Sequence, residues 1–162
     1  MRIILMALAL FFGATVFGQN QPDYASIKLD TKENFTDEVN STALKAATYI
    51  LSTPIDKKSN PRLLASQFLL RWMTGSPHYS FEIGEQVGKI TKGNDNLLIV
   101  YMAAMTKYCL ENPASKDDQP NVKLASIKQL LNYCQTQQVS LTKELKKLHK
   151  ANEAGELEKH LK

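Results

Sequence analysis

The sequence predicts an all-α protein, a compact bundle of five or six helices. Three observations lead there. Apolar residues recur three and four positions apart along most of the chain, helix-start and helix-stop residues bracket those runs, and no stretch alternates with the period of two that a strand needs. With 162 residues, 43% of them apolar and 22% charged, the chain is long enough to enclose one hydrophobic core and too apolar to remain disordered.

The first eighteen residues stand apart. Arg2 is their only charge, and residues 3–12 form an unbroken apolar run, too short to span a bilayer as a mature helix. A basic start, a short apolar stretch and small residues ahead of a polar segment are the order of a signal peptide, with Val16 and Gly18 in the small-residue positions before the cut. Cleavage is expected after Gly18, giving a secreted or periplasmic protein; the alternative is an uncleaved N-terminal anchor. The division is then a signal peptide at 1–18, a flexible N-terminal arm at 19–34 and a single helical domain at 35–162. The arm is polar, with Pro22 early and little periodicity. No later segment reaches the apolar length of a transmembrane span. The formal charge of +4 is spread over many positions, whereas nucleic-acid binding calls for a basic stripe or cluster.

Thr36 is placed to cap the first helix, with Asp37 and Glu38 in the first turn, where the helix dipole favours negative charge. Val39, Ala43, Ala46, Ala47, Ile50 and Leu51 make its inner face, and Pro54 ends it near Ser52. Asn60 is expected to cap the second helix, with Pro61 in the first position, where a missing N–H costs nothing. Leu63, Leu64, Phe68, Leu69, Trp72 and Met73 give this helix a broad apolar face, so it should be the most buried, and Gly75 should stop it. Residues 75–84 read as an ordered loop packed by aromatics. Ile83, Val87 and Ile90 mark a short helix closed near Gly93. Asp95 then caps a strongly apolar, central helix over 96–111, in which Tyr101, Met102, Met105 and Tyr108 read as core rather than as a cofactor box.

A polar loop over 112–120 leads to a helix at 122–138 whose inner face is Leu124, Ile127, Leu130, Leu131 and Cys134. Ser140 opens the last helix, with Leu141, Leu145 and Leu148 four and three apart. Lys143, Lys146, Lys147 and Lys150 surround that narrow stripe, as on the outside of a packed helix. Residues 156–162 form a fraying or short helical tail. The same helices taken in pairs would make a tetratricopeptide-like array of α-hairpins, but the spacings are unequal and matching positions do not repeat.

Cys109 and Cys134 are the only cysteines, and an even pair in an exported chain invites a disulfide. In an antiparallel hairpin of the last two long helices they are offset by about eight residues, or roughly 12 Å, beyond disulfide reach. Two buried thiols are expected.

The densest collection of unusual residues is 72–81. Its functional reading is a binding loop, with Trp72, Tyr79 and Phe81 as an aromatic wall and His78 with Ser76 or Ser80 as polar contacts. Its bland reading, which we favour, is a helix stop whose aromatics plug the end of the bundle. A Ser near a His in sequence is no catalytic dyad, and the Gly-x-Ser-x-Gly elbow is absent. His149 with Glu153 and Glu156 with His160 have the spacing of surface ion pairs, and two ligands do not make a metal site. No metal and no cofactor are expected, and Asp117 and Asp118 read as solvated loop charges.

The run over 60–84, in which residues 68–72 lead into Thr74, Gly75, Ser76 and Pro77, is similar to uncharacterised secreted helical proteins of bacteria. The likeness covers about one sixth of the chain, implies an exported bacterial protein and transfers no functional residue. The expected function is that of an exported, non-enzymatic binding or interaction protein. Its partner, an unknown protein or small-molecule ligand, would engage the 75–84 loop or a groove between helices. The alternative is a small periplasmic hydrolase-type enzyme whose site is assembled from distant residues such as His78 and a carboxylate.

Overall fold

The computed structural model describes residues 21–56, 58–92 and 94–161, so the leader and its expected cleavage point lie outside the described residues. Among these residues seven α-helices form and no strand: α1 (Asp37–Ser52), α2 (Asn60–Gly75), α3 (Glu85–Thr91), α4 (Asp95–Glu111), α5 (Gln119–Thr136), α6 (Lys143–Glu153) and α7 (Leu157–Leu161). Short 3-10 turns precede α1 at Lys32–Asn34 and follow α4 at Pro113–Ser115.

Side chains fix where the helices begin. Thr36 Oγ1 accepts from the Val39 N–H at 3.3 Å, the cap its sequence position suggests. At three other starts a neighbouring residue of the same type takes the role. Ser59 caps α2, its Oγ accepting from the Arg62 N–H at 3.4 Å, so that Asn60 and Pro61 fall inside the first turn. Asn94 caps α4 in place of Asp95, and Thr142 caps α6 in place of Ser140. At α5 the Asp118 carboxylate accepts from the Asn121 N–H at 3.2 Å, which starts that helix before Val122.

The central helix is α4. Leu97, Val100, Tyr101, Ala103, Met105, Thr106 and Cys109 are buried, and they point in every direction around the axis, as a nearly continuous apolar run requires. It packs against α1 on one side and α5 on the other, with α2 and α3 touching it as well. Ala43, Ala46 and Ala47 make the close approach of α1 possible. The sequence expectation that α2 is the most buried helix is therefore corrected. Phe68, Leu69 and Trp72 are buried, but Leu63 stays 54% exposed and Leu70 37%, because neighbours cover α2 on one side only.

Gly75 is the last residue of α2 and does not adopt a left-handed stop. Its reason is room: a Cβ there would sit 2.7 Å from Cζ of Phe35, a buried ring that closes over the helix end. Gly155 is left-handed, at φ 71°, and it turns the chain from α6 into α7.

Within the stretch 19–34, read from its polarity as a flexible arm, Tyr24 and Ile27 meet α2. Tyr24 is buried with its ring stacked on Phe68 at 5.2 Å, and Arg71 Nη2 donates to the carbonyls of Tyr24 at 2.9 Å and Ile27 at 3.3 Å. Apolar anchors spaced through a polar segment show no period, which is why composition concealed them.

Arg62 is buried within the bundle. Its Nη1 donates to the carbonyls of Ile50 at 2.7 Å and Thr53 at 2.9 Å and to Thr53 Oγ1 at 2.8 Å, while Nη2 reaches the Tyr133 hydroxyl at 3.3 Å. The guanidinium thus satisfies the C-terminal carbonyls of α1, where the helix dipole favours a cation, and ties α1, α2 and α5 together. Cys109 and Cys134 are free and buried, and burial pushes each thiol up to about 11. At the far end, Leu157 and Leu161 of α7 are buried, and Lys123 Nζ donates to the Leu161 carbonyl at 2.6 Å. No described helix is long and apolar enough to cross a membrane.

Candidate functional site

The last turn of α2 delivers Trp72 to the end of the bundle, where it is buried and its indole N–H donates to Asn40 Oδ1 at 3.1 Å. The chain then turns at Pro77 and brings Tyr79 and Phe81 back onto it, with ring centroids 5.3 and 5.9 Å from the indole and tilted. A second loop fastens this one. Lys116 Nζ donates to the His78 carbonyl at 2.7 Å and lies 5.5 Å over the Tyr79 ring, and Gln119 Nε2 donates to the Ser80 carbonyl at 3.2 Å. Burial raises the Tyr79 pKa against the opposing pull of Lys116.

Of the residues singled out in the sequence, Trp72, Tyr79 and Phe81 therefore meet as a plug, while Ser76 and His78 stay outside it. Ser76 Oγ accepts from the main-chain N–H of His78 at 3.4 Å. The His78 side chain is exposed, and among the described residues no hydrogen bond or ion pair joins its ring to a carboxylate. Nothing in this arrangement prepares a nucleophile.

Past Phe81 the same loop reaches Glu82 and Gly84, which edge a cleft of about 370 Å³ between α4, α5 and α7. Tyr101 and Met105 of α4, Leu124 of α5 and Leu161 of α7 give it apolar walls, and Gln119, Asn121, Lys123 and Glu158 give it a polar rim. The volume lies at the lower end of the usual range for small-ligand pockets, about 300–1,000 Å³. Tyr101 is completely buried and its hydroxyl has no hydrogen-bond partner. Burial pushes its pKa up to about 12, so at neutral pH the group keeps its proton and has one O–H to give and lone pairs to offer. A buried hydroxyl left unpaired costs about 1–3 kcal/mol, a cost that a ligand supplying the missing bond would remove. Two further buried polar atoms among the described residues are unpartnered, Thr106 Oγ1 and His149 Nδ1, and neither residue lines this cleft.

Other depressions offer less. One of about 450 Å³ between the N-terminal segment and α2 is larger, but two of its polar groups are bonded already, Arg71 to Tyr24 and Ile27 and the Tyr24 hydroxyl to Gln21 at 2.8 Å. One of about 200 Å³ lies beside Arg62, whose guanidinium is committed to the end of α1. His149 Nε2 stands 3.9 Å from Glu153, whereas His160 Nδ1 meets the main-chain carbonyl of Glu156 at 3.1 Å. No group of three or more His, Cys, Asp or Glu among the described residues could hold a metal ion.

Sequence reasoning assigned Tyr101, Met105 and Leu124 to the core, and they are largely buried. What it missed is that the ring's polar end lacks a partner. The fold and site together define an all-α bundle with a partly polar cleft between three helices. Comparisons of this chain with models of protein families, with curated proteins and with solved structures find no match.

Proposed function

We propose that this is an exported, non-enzymatic binding protein that takes a small molecule in the cleft between α4, α5 and α7. The observation behind this reading is the Tyr101 hydroxyl, buried without a partner on a residue that lines the partly polar cleft. Export is supported by the leader-like order of residues 1–18. The hydrolase-type alternative has less behind it, because the Ser76 hydroxyl serves the His78 main chain and not its imidazole.

Two experiments test the two halves. Mass analysis of the protein recovered outside the producing cells should show a chain starting at Gln19; recovery of the intact chain from the cytosol would refute export. A fragment library titrated by amide NMR should move the resonances of Tyr101, Met105, Asn121 and Leu124, and Tyr101→Phe should weaken the best binders about fivefold, the worth of one neutral hydrogen bond. Shifts confined to residues 76–81 would place binding at the aromatic loop and refute the cleft.

A further inference from the structure

We propose that α7 is a latch on the cleft: docked, it keeps the Tyr101 hydroxyl covered, and a ligand bonds that hydroxyl only after α7 is released. This rests on the reading of the cleft as a small-molecule site and adds how that site is controlled.

Tyr101 lines the cleft and yet is 0% exposed, so a ligand at the mouth does not reach its hydroxyl while every wall stays in place. One wall has to move. Helix α4 is not that wall, because α1, α2, α3 and α5 all pack on it. Helix α5 is 18 residues long, packs on α4 and buries Val122, Ile127, Leu130 and Leu131. Helix α7 differs from both. It has five residues, where an isolated helix needs about 12–15 to be even marginally stable, and it packs against α5 and α6. Leu161 is its apolar contribution to the cleft.

The attachment of α7 is separable from the rest of the bundle. Helix α6 is closed before α7 begins: the Gly155 N–H donates to the Asn152 carbonyl at 3.1 Å and the Glu156 N–H to the Ala151 carbonyl at 2.8 Å. These are the paired bonds of a helix end built around a left-handed glycine, and they do not depend on α7. A Cβ at position 155 would meet nothing within 4 Å, so the turn stands clear of the core. Beyond the turn, α7 is held by the burial of Leu157 and Leu161 and by Lys123 Nζ, which donates to the Leu161 carbonyl; Glu158 is engaged as well. Release gives up these contacts and opens one side of the cleft without unwinding α6, a local opening well short of unfolding.

Leu157→Ala is the test, because Leu157 is buried beneath α7 but does not line the cleft. Amide hydrogen exchange should be faster over residues 157–161 than over α4 in the parent, and faster still in the variant; exchange at α7 as slow as at α4 would overturn the latch. The binding probe is 4-ethylphenol, neutral, with an apolar body and one hydroxyl, titrated by amide NMR beside the fragment library. Probes that move the Tyr101 resonance should bind Leu157→Ala about tenfold more tightly than the parent, since less of the binding free energy goes into opening. That gain should vanish in the double variant Leu157→Ala, Tyr101→Phe. Unchanged or weaker affinity in Leu157→Ala, with shifts still at the cleft, would overturn the latch and leave the cleft as the site. A gain that persists without the tyrosine hydroxyl would overturn it too, because the probe would then be filling the space left by Leu157. If Leu157→Ala disturbs the whole bundle, Gly155→Ala strains only the turn and carries the same expectations. Absence of shifts at Tyr101, Met105 and Leu124 from 4-ethylphenol and every fragment, in parent and variant alike, would overturn the small-molecule reading, and this inference with it.

Discussion

The stretch from Trp72 to Gly84 serves two regions that treat their polar groups in opposite ways. At its start, around Trp72, Tyr79 and Phe81, the indole N–H is bonded, two main-chain carbonyls receive Lys116 and Gln119, and the Lys116 ammonium lies over the half-buried Tyr79 ring. At its end, Glu82 and Gly84 border a cleft lined by Tyr101, a residue whose buried hydroxyl has no partner. The first region holds the unusual residues and the second holds the unmet chemistry. In a bundle of this size, aromatic rings close the end of the core whether or not anything binds there, whereas an unpaired buried donor has no structural purpose and opposes folding.

That contrast can be broken or sharpened by four changes. Trp72→Ala should cost the most, about 4 kcal/mol in chemical denaturation, as expected for a fully buried ring that also bonds Asn40. A loss below about 1 kcal/mol would mean that the indole is a ligand wall rather than a plug. Alkaline pH comes next. The folded protein holds protons on Cys109 and Cys134 up to about 11 and on Tyr101 up to about 12, above their ordinary values of 9.0 and 10.0. The unfolded chain releases these protons first, so stability is complete below pH 9 and falls as pH rises through 11 and 12. Urea midpoints measured from pH 8 to pH 12 would show the decline; a flat profile would mean that these groups are not buried as described. Lys116→Met should cost about 1 kcal/mol and speed hydrogen exchange over residues 76–81, with no effect on fragments held in the cleft. Loss of cleft binding in that variant would join the two regions into one site. The smallest effect belongs to Tyr101→Phe.

Much of the fold was legible because caps and periodicity are local. Thr36, Pro61 and the Leu145 and Leu148 pair mark helices from within a few residues. The cap shifts at Ser59, Asn94 and Thr142 occur where two competent residues lie close together and tertiary packing chooses between them. What escaped depends on distant partners. Arg62 looks like a surface charge until the end of α1 is seen to point its carbonyls at it. Tyr24 looks like part of an arm until Phe68 is found beneath it. The aromatic segment was recognisable from its composition, but the cleft was not. Tyr101 follows the same apolar pattern whether its hydroxyl is bonded or bare, and no spacing along α4 distinguishes the two.

Tyr133 supplies the control for Tyr101, since its hydroxyl donates to the Thr53 carbonyl at 2.8 Å and accepts from Arg62. The most direct measurement is therefore the unfolding free energy of Tyr101→Phe beside that of Tyr133→Phe, without ligand. Tyr133→Phe should lose about 1–2 kcal/mol, and Tyr101→Phe should match or exceed the parent, since it sheds an unmet hydroxyl. A Tyr101→Phe loss as large as that of Tyr133→Phe would show that the hydroxyl already has its bond within the protein, and the cleft would have nothing left to offer a ligand.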